Sequence, residues 1–102
     1  MASRLELHEE LCNLLGTRNV YFQPPESKKI EYDCIIYQRD NYHIRHANDN
    51  NYMLINRYEI ECIYRDPDST LPKKILNYFN YCNFDRHFIS DNLNHDTFNL
   101  YY

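Results

Sequence analysis

Five histidines and four cysteines are the side chains of this 102-residue sequence with the most chemistry to offer. His43 and His46 stand three apart, a spacing that suits two metal ligands on one helix turn, but the Asn and Asp around them mark a loop. His87 and His95 read as opposed residues of a C-terminal hairpin, with Asp85 and Asp96 beside them. A zinc site needs three or four convergent ligands. Each set here supplies a pair and unplaced carboxylates, so the plainer reading is polar residues facing solvent on an edge hairpin. No metal and no cofactor is expected.

Cys12, Cys34, Cys62 and Cys82 are widely spaced and form no Cys-x-x-Cys pair, the signature of zinc knuckles and thioredoxin-like sites. A nucleophilic thiolate needs an electropositive, partly exposed setting. Three of these cysteines sit instead within apolar patterns, where a thiol acts as a small hydrophobe. Free and mostly buried thiols are expected. Gly16 is the only glycine, which leaves no material for a glycine-rich phosphate loop. The paired carboxylates Glu9-Glu10 and Glu59/Glu61 fall on faces that read as solvated. The chain is therefore expected not to be an enzyme. A small metal- or thiol-dependent enzyme is the rival that the His and Cys counts favour.

The elements that must position these residues can be read from periodicity. Ser3 followed by Glu6 makes a capping box. Leu7, Leu11, Leu14 and Leu15 recur at helical spacing, Leu5 and Cys12 widen the stripe, and Gly16 ends the helix. Val20-Tyr21-Phe22 is a short strand stopped by Pro24-Pro25. From Ile30 the pattern alternates, and Cys34-Ile35-Ile36-Tyr37 suggests a strand buried on both faces. Arg39 to Asn51 reads as a long polar loop, with a brief strand at Tyr42–Arg45 and a turn at Asn48–Asn51. Tyr52–Arg65 is the longest strand: Tyr58, Ile60, Cys62 and Tyr64 make an apolar face opposite Arg57, Glu59, Glu61, Ile63 and Arg65. Asp68 or Ser69 caps a second helix carrying Leu71, Ile75, Leu76 and Phe79 on one side. The tail is a hairpin in which Phe84 and Phe88 alternate with Asp85 and His87, Asp91–Asn94 turns, and Thr97–Tyr102 returns. The predicted class is α+β, a mostly antiparallel β-sheet with two helices packed on one face. The order is α-β-β-(β)-β-α-β-β in a single domain over residues 1–102.

Composition narrows the function. Charged residues at 25% and apolar ones at 43% describe an ordinary globular chain. A net charge of −4 disfavours nucleic acid as the main partner, since that affinity comes from neutralising phosphates. No stretch approaches the roughly 20 apolar residues of a membrane span. Met1-Ala2-Ser3-Arg4 opens without the apolar run of a signal peptide, so a cytoplasmic protein is expected. Eleven tyrosines suit surfaces that are half dry and half wet, although Tyr, Asn, Ile and Lys also share AT-rich codons.

Several stretches resemble the tail-completion (tail-terminator) proteins of long-tailed bacteriophages. They are Leu7-His8-Glu9-Glu10-Leu11-Cys12, Asn19-Val20-Tyr21-Phe22-Gln23-Pro24-Pro25 and Tyr64-Arg65-Asp66-Pro67-Asp68-Ser69, with the closing run from Cys82 through Phe84-Asp85-Arg86-His87-Phe88 to Leu100-Tyr101-Tyr102. The resemblance implies a structural virion protein, assembled in the host cytoplasm, forming a hexameric ring on the head-proximal end of the tail tube. Its partners would be copies of itself, the tail tube protein and the head-connector (stopper) protein. It would end tail growth and serve head–tail joining, with DNA passing through the ring without sequence-specific contact. Another head–tail connector or neck-completion protein would look similar. The expected contact residues are Tyr42, His43 and Arg45 of the polar loop, Arg57, Glu59, Glu61 and Arg65 of the charged strand face, and Asp85, Arg86, His87 and His95 of the hairpin.

Overall fold

Leu7, Leu11 and Cys12 recur on one side of α1 (Arg4–Leu15) and are buried there. Gly16 ends the helix at φ +89°, with its amide bonded to the Cys12 carbonyl at 2.8 Å. The computed structural model describes residues 4–46 and 52–102. Ser3 of the expected capping box and the expected Asn48–Asn51 turn lie outside these residues, as do the side chains of 41–46 and 52–55.

Five strands follow: β1 (Val20–Phe22), β2 (Cys34–His46), β3 (Tyr52–Tyr64), β4 (Cys82–Ser90) and β5 (Leu93–Tyr101), with α2 (Leu71–Tyr78) between β3 and β4. They form one sheet in the order β1-β2-β3-β5-β4, antiparallel except for the β1–β2 pair. The class is α+β. Both helices bury their apolar residues on the same sheet face, where Leu7, Leu11, Leu71 and Ile75 join Tyr37, Tyr58, Ile60, Cys62, Phe98 and Leu100 in one core. Each fully buried side chain of this size contributes about 1.5–3 kcal/mol relative to exposure. Leu5, expected in the helix stripe, is instead 66% exposed.

Tyr37 ties α1 to the sheet. Its ring is fully buried between Phe22 (4.9 Å between centroids) and Tyr58 (6.1 Å). Its hydroxyl accepts from Arg4 Nη1 at 3.3 Å and donates to His8 Nδ1 at 2.8 Å, an arrangement that requires a neutral imidazole.

Three expectations need correction. Residues Arg39–His46 are not a loop containing a separate strand: β2 runs on to His46 because β3 offers a pairing partner at every step except Asp40, down to His46↔Tyr52. A bulge at Asp40 absorbs the irregularity. Residues 30–33, read as the start of the strand pattern, precede β2. The second helix takes Thr70 as its N-cap without a side-chain bond, while the Ser69 hydroxyl accepts from the Leu71 amide at 3.3 Å.

The hairpin departs from its simple alternation for a related reason. A bulge at Asp85 puts Phe84 opposite Phe98 on the helix-covered face and Phe88 opposite His95 on the other. The turn is two residues, Asp91 (φ 54°) and Asn92 (φ 63°), not the four expected. Positive φ at both positions matches the turn geometry favoured by twisted hairpins, with Asp and Asn tolerating the left-handed region.

Candidate functional site

Strand register assigns each predicted contact residue to a face. Arg57, Glu59 and Glu61 alternate with the buried Tyr58, Ile60 and Cys62, so they fall on the sheet face away from the helices. His95, Thr97 and Asn99 lie beside them on β5, and Arg86 and Phe88 on β4.

Side-chain contacts knit this face together. Glu61 Oε1 lies 3.3 Å from His95 Nδ1, the His95 ring stacks on Phe88 (4.6 Å, 9°), and the Arg86 guanidinium sits 5.0 Å over the Phe88 ring. Asp85 accepts from the Thr97 hydroxyl at 3.1 Å. Arg57 is paired with Asp40 at 2.7 Å, and its bonds to Tyr101 and Asp40 hold its pKa up. Glu59 and Arg65 have no side-chain partner among the described residues. Arg65 follows β3, with its amide held by Asp33 Oδ1 at 3.0 Å.

One end of the face is closed. Cys34 and Ile63 are buried there, near the 23–33 connection, whose Glu31 amide donates to the Tyr21 hydroxyl at 3.3 Å. Alternation alone groups Ile63 with the polar residues, whereas it is 3% exposed. The stretch from Glu61 to Arg57 is the open part.

His87 does not join His95. It pairs across the strands with Asp96 on the helix-side face, and its Nδ1 donates to Asp96 Oδ1. Asp96 is buried beside Cys62 and accepts from the Tyr64 hydroxyl. Burial, and then the Asp96 charge, push the Tyr64 phenol up to about 12. The side chains of Tyr42, His43 and Arg45 lie outside the described residues. Their backbone belongs to β2, where it pairs only with β3 beyond the end of β5.

Cys62, Asp96 and His87 form an adjacent thiol–carboxylate–imidazole row, but in the wrong sequence for a nucleophile. The carboxylate lies between thiol and imidazole, so its charge opposes thiolate formation, adding to the dominant effect of burial. Burial also raises Cys12, Cys34 (to about 12) and Cys82 (to about 11). All four thiols are unbridged. A thiol-reactive disulfide reagent at pH 8 should therefore label only the partly buried Cys82, and slowly, with the buried Cys12, Cys34 and Cys62 reacting on addition of denaturant. Mass spectrometry of labelled peptides reads this directly; prompt labelling of Cys62 would contradict the assignment.

No three metal-ligating side chains converge among the described residues. No described helix is long and apolar enough to cross a membrane. Compared with known proteins, the chain matches no family model and no curated sequence.

Proposed function

We propose that this chain is a structural protein of a phage particle: a tail terminator that caps the head-proximal end of the tail tube as a ring and forms the surface that joins tail to head. The observation that carries the reading is the open sheet face, where Glu59 has no counter-charge among the described residues while its neighbours Arg57 and Glu61 are already paired; Arg65, likewise uncompensated among the described residues, stands just past the closed end of that face. Such charges select and orient a partner more than they stabilise the monomer. A ring closes through head-to-tail contacts between two different patches of identical copies. The β2–β3 arm and the outer edge of β4 give each copy two dissimilar surfaces of that kind. The similarity of its sequence stretches to tail-completion proteins supports the same reading, and the net charge of −4 suits a ring that lets DNA pass without holding it.

Reversing both unmatched charges, Glu59→Arg with Arg65→Glu, leaves the core untouched. In particles carrying this variant, the protein should stay folded, with a melting temperature within a few degrees of the parent (about 0.5 kcal/mol per surface change). Tails should accumulate unjoined to heads in electron micrographs. Normal head–tail joining would remove this face from the contact. Absence of the chain from purified particles by mass spectrometry would remove the virion role itself.

A further inference from the structure

A second feature lies on the helix side, where α1, α2 and the end of β5 meet. Glu10 of α1 accepts two phenolic hydroxyls there, Tyr78 at 3.1 Å on Oε1 and Tyr102 at 2.7 Å on Oε2. The three residues line a cavity of about 380 Å³ together with Phe79, Tyr81 and Leu100. Phe79 is its floor, 8% exposed, and both Tyr78 and Tyr102 set their rings nearly perpendicular to it (4.9 Å at 83° and 6.1 Å at 79°). Tyr78 at 53% and Tyr81 at 71% exposure leave apolar ring surface in water at the lip. The lining contains a carboxylate and five aromatic residues but no Lys, Arg or His.

That combination has a definite chemical preference. Aromatic faces attract a cation within about 6 Å, and more strongly when water is partly excluded. Each Glu10 oxygen accepts one phenol and keeps a further acceptor site, so the carboxylate can still take a pair of N–H donors. The two phenols also fix the carboxylate before any ligand arrives, which lowers the ordering cost of binding. Both phenols are held up from their ordinary value and so stay protonated as donors, Tyr78 chiefly by its bond to Glu10 and Tyr102 chiefly by burial. A planar guanidinium uses both features at once, stacking on a ring while forking onto a carboxylate; an ammonium is a point charge that is more strongly hydrated.

We infer that this recess is a docking pocket for the guanidinium of an arginine presented by a partner protein. The assignment stands independently of the virion reading, because it uses neither the open sheet face nor the strand arm.

The test is an NMR titration of the whole chain with aromatic ¹³C labels, using N-acetyl-arginine methylamide and its lysine and citrulline counterparts. The arginine compound should shift the ring signals of Tyr78, Tyr81 and Tyr102 saturably, with an affinity of about millimolar, as a ligand of that size allows. The lysine compound should bind about tenfold more weakly, and neutral citrulline should give no saturable shift. Glu10→Gln should weaken arginine binding about tenfold. Tyr81→Ala, at a side chain exposed enough to leave folding alone, should weaken it several-fold, about as expected for one lost cation–ring contact. Citrulline or lysine binding as well as arginine, no saturable shift at all, or unchanged affinity in both variants would overturn the inference.

Discussion

Phe98→Ala should cost about 3–5 kcal/mol of folding stability, a large part of the 5–15 kcal/mol typical of a domain this size. The ring is fully buried on β5, paired with Ile60 on one side and Phe84 on the other, with its centroid 5.7 Å from that of Phe84. Truncation removes contacts on both flanks, beneath a helix layer that the sheet holds in place, so the cavity cannot collapse freely. Phe84→Ala is the internal control. The Phe84 side chain is half-exposed on an edge strand, and its loss should cost about 1 kcal/mol. Urea denaturation of both variants measures the difference. Equal costs would mean that the centre of the core lies elsewhere.

Tyr37→Ala should be comparably severe, about 3–5 kcal/mol, because Tyr37 joins ring packing to a polar tether between α1 and β2. Tyr37→Phe separates the two contributions. It keeps the stacking on Phe22 and Tyr58 and deletes the hydroxyl that bridges Arg4 and His8, for a cost of about 1 kcal/mol. The same bridge makes the fold sensitive to acid. Burial, with Arg18 and Arg4 adding to it, holds His8 below its ordinary 6.5. The unfolded chain therefore takes up the proton first. The stabilisation from neutral His8 is complete above pH 6.5 and is lost as pH falls from 6.5 through the lowered folded value. Stability measured between pH 7.5 and 5 should fall less steeply in His8→Gln than in the parent; an unchanged slope would show that His8 titrates alike in both states.

Much of the fold was legible because its strongest signals are local. The leucine spacing of α1, the stop at Gly16 and the alternation from Tyr58 to Tyr64 each settle on a few neighbouring residues. The long β2 strand was not legible, since Arg39–His46 is too polar to announce a strand and is held extended by pairing with β3, a non-local interaction. The bulge at Asp85 was invisible for a similar reason. It inserts one residue into an otherwise regular pattern, and a period-2 reading then assigns Phe84 and Phe88 to one face when the ladder splits them. That slip also explains the mistaken pairing of His87 with His95. The charged face of Arg57, Glu59 and Glu61 was readable from alternation. The recess around Glu10 was not, because its two phenol partners are 68 and 92 residues away.

The β2–β3 arm has a practical consequence for weighing the molecule. It stretches the chain to 52 × 28 × 23 Å, with a radius of gyration of 14.7 Å where a rounded chain of this length would have about 13 Å. An elongated particle drags more than a sphere of equal mass, so a gel-filtration column calibrated on spheres would overstate 12.6 kDa and could pass a single copy off as a larger species. Counting copies in solution therefore calls for light scattering or sedimentation equilibrium, whose readings do not depend on shape.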